Sequence, residues 1–404
     1  MKVWQRLTIC TALLLLSLGP AHNALAVSIS GRSSTEIEWF DDAQGDTALP
    51  VYEYLLLNAK NLDGNGLNFQ GYGRLSDDIN DEVDAESRLY YAYLKKKNLF
   101  QNLDLKLGRQ FVSTTAGASL MDGLHLDYNN LGPMKLSLFG GGDVSYDADY
   151  EADDLIVGGE VGGYFFKSLS LGLSYVQTWD KGDLAKELIG LDLDYDLHNT
   201  LNLYSEAQFD YLTDSLAYFL GGTSYHASDK LTLRAEYLYS LPVFSATSIY
   251  SVFAVSEYEE LMAELTYRIA TGLNAFGRIT HEMYQDYADA DVFEAGIEKI
   301  RTNNFSGYLS GVWREDKDNQ DLKGFKVRGA YMLNQYIQAG IGAEVDVLQR
   351  RLEDDNDDTS STRYWADLTT YLTRTVSLQG KVERIESALW SEYYRGRVRL
   401  NISF

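Results

Sequence analysis

The last twelve residues of the chain alternate in polarity, and the alternation continues to the final residue. One parity carries Tyr394, Gly396, Val398, Leu400, Ile402 and Phe404, and the other carries Tyr393, Arg395, Arg397, Arg399, Asn401 and Ser403. A period of two places successive side chains on opposite faces of a β-strand. Chain ends usually fray in soluble domains. The sequence therefore predicts a chain that ends inside a β-sheet, with one face of the last strand apolar throughout.

The first 26 residues predict a secretory signal peptide. Lys2 and Arg6 give the N-terminal region a positive charge, and an apolar run follows over Leu7–Leu18. Ala24-Leu25-Ala26 then fits a small-x-small cleavage site. The run is shorter than the ~20 residues that a membrane-spanning helix needs. We expect cleavage near Ala26, which leaves residues 27–404 as one mature domain.

The mature chain carries little of the usual chemistry of enzymes or cofactor sites. Cys10 lies within the signal peptide, so removal of that peptide excludes disulfides, thiolate metal sites and covalently attached haem on this chain. The net charge of −24 disfavours nucleic acid, whose phosphates need Lys and Arg. The histidines outside the signal peptide match no catalytic or metal-binding motif; they are His125, His198, His226 and His281. We expect no enzyme activity, no metal and no cofactor.

The spacing of strands and connectors predicts an all-β fold. No segment after the signal peptide has 18 consecutive apolar residues, so any membrane-spanning structure must be built from strands. The chain contains about 22 strand-like segments (18–22), joined alternately by short and long connectors. Short turns are expected near 61–66 and 96–102, and longer loops near 112–122, 178–186 and 241–257. This is the pattern of a single transmembrane antiparallel up-and-down β-barrel with periplasmic turns, extracellular loops and no plug domain. A soluble solenoid or tandem sandwich explains the alternation less well.

Closure of such a barrel would bring the first strand beside the last. The inward charged residues of these two strands are Glu36, Glu38, Arg395, Arg397 and Arg399. With Ile29 level with Phe404, Arg397 would face Glu36 and Arg395 would face Glu38. The arginines then form cross-strand ion pairs that fix the register of the barrel seam. The alternative is a basic stripe that selects anions.

A second charged stripe is predicted on one hairpin of the barrel wall. Its expected lumen-facing residues are Asp192, Asp194, Asp196, Glu206, Gln208 and Asp210. The turn at 198–200 would place Asp192 beside Glu206 and Asp194 beside Tyr204. A water-filled lumen explains these like charges; a wall that attracts cations or a basic partner is the alternative. Lumen-facing cations elsewhere predict mixed charge, and they are Arg278, Lys326 and Arg328.

Two motifs resemble those of known outer-membrane proteins. The chain end resembles the C-terminal assembly signal that the barrel-assembly machinery reads in Gram-negative bacteria; its residues here are Tyr394, Val398, Leu400, Ile402 and Phe404. Leu107-Gly108-Arg109-Gln110, followed by Asp122-Gly123 and alternating apolar residues, resembles a pattern of Gram-negative porins and substrate-export channels. The resemblance implies diffusion of small solutes through a water-filled barrel. Arg109 is a candidate for the pore mouth, and a bulge at Gly108 would be needed to turn it inward.

The predicted function is therefore a porin-like channel in the bacterial outer membrane. Its partners would be membrane lipid, lipopolysaccharide on the side of the acidic loops, and small solutes. One difficulty is that a barrel of ~22 strands encloses a wide lumen that a plug usually fills. The alternative is a barrel that sheathes a multihaem c-type cytochrome, as part of an electron conduit across the outer membrane.

Overall fold

A computed structural model describes residues 27–41, 45–144, 151–152, 154–243, 256–316, 321–349, 358–387 and 392–404. The predicted signal peptide with its cleavage site, and most of the loop predicted at 241–257, lie outside the described residues. Within the described ranges no helix has the length and hydropathy of a membrane span.

The described chain is built from β-strands. Their bounds are β1 (Ser28–Asp41), β2 (Thr47–Ala48), β3 (Pro50–Lys60), β4 (Leu67–Asp78), β5 (Arg88–Leu99), β6 (Leu103–Thr114), β7 (Gly117–Leu131), β8 (Met134–Asp143), β9 (Asp154–Phe165), β10 (Leu169–Asp180), β11 (Asp183–Leu197), β12 (Leu201–Asp210), β13 (Ser215–Ser228), β14 (Leu231–Ser240), β15 (Tyr258–Ala270), β16 (Leu273–Tyr284), β17 (Ala290–Lys299), β18 (Phe305–Asp316), β19 (Leu322–Asn334), β20 (Ile337–Gln349), β21 (Asp358–Tyr371), β22 (Val376–Ser387) and β23 (Tyr393–Ser403).

These strands form one closed antiparallel barrel. Each strand from β3 onward pairs with the next along the chain, and β1 pairs with both β3 and β23. The two-residue strand β2 pairs only with the end of β1, at Phe40 and Asp41, which leaves 22 strands in the wall. Closure leaves the described wall without a free edge strand, which is the arrangement that a membrane-spanning sheet requires. The predicted up-and-down barrel of about 22 strands is confirmed.

Because side chains alternate between the two faces of each strand, the outer surface of the barrel is apolar and its inner surface is charged. On β11, Leu191 and Leu193 point outward and are 54% and 38% exposed, respectively. Asp192 lies between them and points inward, where its carboxylate meets Thr115 from another part of the chain. Of the residues expected to form the assembly signal, Tyr394, Val398, Leu400 and Ile402 lie at outward positions of β23, and Phe404 directly follows the strand. An outward-facing side chain in this barrel contacts lipid instead of a protein core, so exposure of large apolar residues is expected.

The seam closes in a register two residues away from the predicted one. Glu36 lies opposite Arg399, and Glu38 lies opposite Arg397, whereas Arg395 lies opposite Phe40. The expected pairs of Arg397 with Glu36 and of Arg395 with Glu38 are therefore wrong. The five seam residues do meet across β1 and β23, with Arg399 Nε donating to Glu36 Oε2.

The reason for the shift lies at the chain end. Gly31, not Ile29, is level with Phe404, because the Gly31 amide donates to the Phe404 carbonyl oxygen over 2.8 Å. The Phe404 ring then covers Gly31 so closely that a Cβ there would lie 2.6 Å from the ring Cζ. Only glycine fits this position, and the terminal Phe is thereby fixed against the first strand.

Two of the predicted long loops are in fact tight turns. β6 extends to Thr114 and β7 begins at Gly117, so the loop expected near 112–122 is a two-residue turn between long strands. The loop expected near 178–186 shrinks in the same way to the residues between Asp180 and Asp183. The strands on either side of the short β6–β7 turn do not stay in the barrel wall.

Candidate functional site

The β6–β7 hairpin leaves the barrel wall and folds into the lumen. Pairing of β5 with β6 ends at Ala92 and Arg109, and pairing of β7 with β8 begins at Met121. Between these limits β6 and β7 continue to pair with each other up to Thr114 and Gly117. We call residues 110–119 the inward hairpin.

The base of the inward hairpin is formed by the porin-like motif. Arg109 and Asp122 face each other and form a two-point ion pair, with Nε to Oδ1 at 2.8 Å and Nη2 to Oδ2 at 2.7 Å. Gly108 has φ of +124°, a backbone conformation that favours glycine. Behind the pair, Gly123 lies opposite Gly141, and a Cβ on Gly123 would lie 2.7 Å from the Gly141 Cα. The glycines of the motif allow the sheet to bend at this point.

The bulge expected at Gly108 is not formed. Pairing of β6 with both neighbours is continuous from Leu107 to Arg109, so Arg109 remains on the side of Leu107 and Leu124. The unusual φ of Gly108 changes the direction of the strand without shifting its register. Arg109 thus holds the hairpin base together with Asp122, and a direct role at the pore mouth stays a prediction.

The tip of the inward hairpin is fixed to the far strands of the wall. The Ala116 amide donates to Ser174 Oγ on β10 over 2.8 Å. Gln208 on β12 donates through Nε2 to the carbonyl oxygens of Ala116, at 2.8 Å, and Thr115, at 3.3 Å. Thr115 Oγ1 donates to Asp192 Oδ1 on β11 over 3.2 Å. The hairpin therefore passes β8 and β9 and docks inside the barrel against β10–β12.

An apolar contact supports these hydrogen bonds. One face of the hairpin buries small and medium apolar side chains against inward residues of β8–β11, and Val243, which follows β14, packs against them. The buried cluster comprises Val112, Ala116, Met121, Phe139, Ile156, Val176 and Leu188. The opposite face of the hairpin is open, and Phe111 is 62% exposed there. The hairpin is therefore packed against the wall by apolar contacts as well as by hydrogen bonds.

The acidic stripe lies beside this docked tip. The predicted pairs are found, with Asp192 opposite Glu206 and Asp194 opposite Tyr204. Asp192 accepts from Thr115 of the hairpin, and both Asp194 oxygens accept from Asn202 Nδ2 at 3.2 Å. These donors are neutral side chains, so none of these hydrogen bonds places a cation beside the two carboxylates.

The other predicted residues of this hairpin have separate positions. Asp196 lies near the turn, where Oδ1 accepts from the Asn199 amide over 2.7 Å. Gln208 holds the hairpin tip, as described above. Asp210 is buried at the end of β12 and caps the next loop, accepting from the Leu212 amide at 3.0 Å and from Thr213 Oγ1 at 2.9 Å. Asp210 is thus bound to the loop instead of open to solute.

The predicted lumen-facing cations form ion pairs with carboxylates on adjacent strands or, for Arg328, on the next strand but one. Arg278 bridges Glu264 and Glu294, with contacts of 2.6 and 3.3 Å. The other two pairs are Lys326 with Glu344, at 2.7 Å, and Arg328 with Asp367, at 2.9 Å. This arrangement matches a lumen of mixed charge.

The acidic stripe and the basic side of the lumen lie on opposite walls. β11, which carries the three aspartates, is separated from β22 by ten wall strands in either direction. On and beside β22, Lys381 contacts Glu383 at 2.6 Å, and Arg395 contacts the other oxygen of the same carboxylate at 2.6 Å. The seam arginines Arg397 and Arg399 continue this basic side. The acidic stripe and this arginine-rich side therefore lie on opposite sides of the lumen.

Sequence reasoning missed two lumenal features. The first is the inward hairpin: the sequence predicts a longer loop near 112–122, although Val112 and Met121 alternate with polar residues there. The second feature is a group of tyrosines on β3–β5. The alternation of inward and outward residues along each strand is enough to predict that all of them except Tyr90 face the lumen.

The sequence matches no protein-family model and no curated protein. Among solved structures, the chain is similar to the P pilus usher (PapC) translocation pore, with 10% identity, 93% of this chain and 99% of that chain covered, and a TM-score of 0.51. Similar structures also include Pseudomonas aeruginosa OpdQ, with 10% identity over 94% of this chain and 99% of that chain and a TM-score of 0.49. For Pseudomonas aeruginosa OccK5 (OpdH) the identity is 12%, the coverage 93% and 98%, and the TM-score 0.47. At such low identity the likeness concerns the fold alone, which is a closed β-barrel.

Proposed function

We propose that this protein is an outer-membrane channel for small hydrophilic solutes, with the inward hairpin as its constriction. The observation that carries the proposal is the docking of residues 110–119 inside the barrel, held at the base by Arg109 and Asp122 and at the tip by Ser174 and Gln208. A fixed element in the lumen of a wide barrel reduces the open cross-section without closing it.

The inward hairpin also favours the channel over the cytochrome sheath. A sheath needs its lumen clear for a second folded protein. Here the hairpin buries an apolar cluster against β8–β11, and removing it to admit a partner would expose that cluster to water.

The charge arrangement supports modest rather than strict ion selectivity. Carboxylates and guanidinium groups both face the lumen, and most of the cations are neutralised by a cross-strand partner such as Glu344 or Asp367. A dipolar solute would be oriented between the acidic wall at β11 and the basic wall at β22, because potentials of several kT extend from such walls.

Planar-bilayer recording of the purified protein tests the proposal. A channel should give stable unitary conductance steps with weak ion selectivity, without any added partner. Absence of steps from correctly folded barrels, or steps that need a co-purified cytochrome, would contradict it.

A further inference from the structure

Six tyrosines on β3, β4 and β5 form a continuous array on the lumenal wall. We call them the tyrosine array, and they are Tyr52, Tyr54, Tyr72, Tyr90, Tyr91 and Tyr93. Leu55 and Leu75, at the opposite parity of β3 and β4, face the lipid with 42% and 49% exposure. Each tyrosine of the array is half-buried, so part of each side chain remains open to the lumen.

The rings follow one another across three strands. Tyr52 and Tyr54 have ring centroids 6.2 Å apart, and Tyr54 and Tyr72 stack at 6.4 Å with an interplanar angle of 18°. Tyr72 contacts two further rings, Tyr90 at 4.8 Å and Tyr91 at 5.8 Å. Tyr93 extends the array 5.8 Å beyond Tyr91. Tyr72 is therefore the central ring.

A break in strand register brings Tyr90 into the array. Tyr72 lies opposite Tyr91, but the next residue, Gly73, lies opposite Leu89, so Tyr90 is an extra residue in β5. Regular alternation would send Tyr90 to the lipid side of Tyr91. The bulge instead turns its ring onto Tyr72, and bulges of this kind re-aim side chains at functional sites.

Groups of both charges border the array. The Arg74 guanidinium lies 4.9 Å from the Tyr52 ring centroid, and that of Arg399 lies 5.7 Å from the Tyr54 centroid. Arg399 also pairs with the Glu36 carboxylate, and the Tyr93 hydroxyl donates to Gln70 Oε1. The border thus offers hydrogen-bond donors and acceptors and carries charges of both signs.

Flat apolar ring faces with hydrogen-bonding groups at their edges suit one class of solute. Pyranose sugars present an apolar C–H face and a rim of hydroxyl groups, which can be both donors and acceptors. A row of rings that extends over three strands can contact several linked sugar units in succession.

We infer that the tyrosine array is a binding track for uncharged linear oligosaccharides, with sugar rings lying on the tyrosines and sugar hydroxyls meeting the bordering polar groups. This inference rests on the proposed function, since it makes the same lumen the path of the sugar. It adds a substrate class that the hairpin and the charged walls do not specify.

Calorimetric titration of maltohexaose into the detergent-purified full-length barrel tests the inference. Saturable binding is expected, and Tyr72→Ala should weaken it about tenfold or more, because the central platform of the track is lost. Tyr72→Phe keeps the ring and should bind nearly as the wild type does. The matched control is Tyr258→Ala, which removes a lumenal tyrosine from β15 on the opposite wall, where Tyr258 packs on Tyr284 at 5.1 Å; it should leave binding unchanged.

Binding in detergent does not depend on conduction, so the two proposals fail separately. Absence of saturable binding to the wild type, or equal weakening by Tyr72→Ala and Tyr258→Ala, would overturn the track even if salt current is normal. Sugar binding without any salt current would support the track and contradict the channel. Heat-modifiable migration of each variant in electrophoresis confirms that its barrel is folded.

Discussion

Arg109 and Asp122 face each other in a two-point ion pair at the point where β6 and β7 leave the barrel wall. The Nε to Oδ1 distance is 2.8 Å and the Nη2 to Oδ2 distance is 2.7 Å. Planar two-point pairs of this kind fix orientation as well as distance. The pair therefore sets the direction in which the inward hairpin enters the lumen.

Loss of this pair should loosen the hairpin. Arg109→Ala leaves the Asp122 carboxylate without its two-point partner, so we expect noisier single-channel currents with frequent transitions to larger conductance. The charge swap Arg109→Asp with Asp122→Arg should restore quieter currents. Identical recordings from the wild type, Arg109→Ala and the swap would show that the pair does not hold the hairpin.

The seam gives a second prediction. Arg399→Glu places like charges against Glu36, and we expect the yield of folded, heat-modifiable barrel to fall about tenfold, since like charges opposite each other destabilise a sheet. Adding Glu36→Arg should restore assembly.

The control for the seam distinguishes two registers. Arg397 lies opposite Glu38, so Arg397→Glu should not be rescued by Glu36→Arg. Rescue of Arg397→Glu but not of Arg399→Glu would contradict the observed closure.

The seam shows why sequence alone predicts the strands but not the register of every strand pair. Asp192 and Glu206 are joined by a short turn, and counting from the turn gave their pairing correctly. Glu36 and Arg399 are joined by the whole chain, so no local turn sets their register. It is set by the packing of Phe404 on Gly31, which no alternation pattern reveals.

A third prediction separates the two faces of β11. Leu191→Arg puts a cation in the lipid and should lower the free energy of unfolding by about 2–4 kcal/mol. Asp194→Arg, three residues away and facing the lumen, should leave stability nearly unchanged and shift ion selectivity toward anions.

Denaturant titration in detergent and reversal potentials in bilayers measure these two effects. Equal destabilisation by both substitutions would contradict the assignment of the faces. Unchanged selectivity in Asp194→Arg would show that the acidic stripe does not act on passing ions.

The inward hairpin is the feature that sequence analysis could least predict. Its strands alternate like those of the wall, and the bend depends on Gly108 with positive φ and on the close approach of Gly123 and Gly141. Its destination depends on Ser174 and Gln208, which are distant in sequence. Local patterns determine which segments are strands; long-range contacts determine which strand pair leaves the wall.

Replacement of the inward hairpin by a short turn tests the account most directly. Residues 111–120 would be exchanged for Asn-Gly, because Gln110 and Met121 are direct partners and a two-residue turn can join them. Single-channel conductance should then rise about twofold or more, since the lumen of so wide a barrel is otherwise open. A folded, heat-modifiable variant with the conductance of the wild type would contradict the claim that this hairpin constricts the channel.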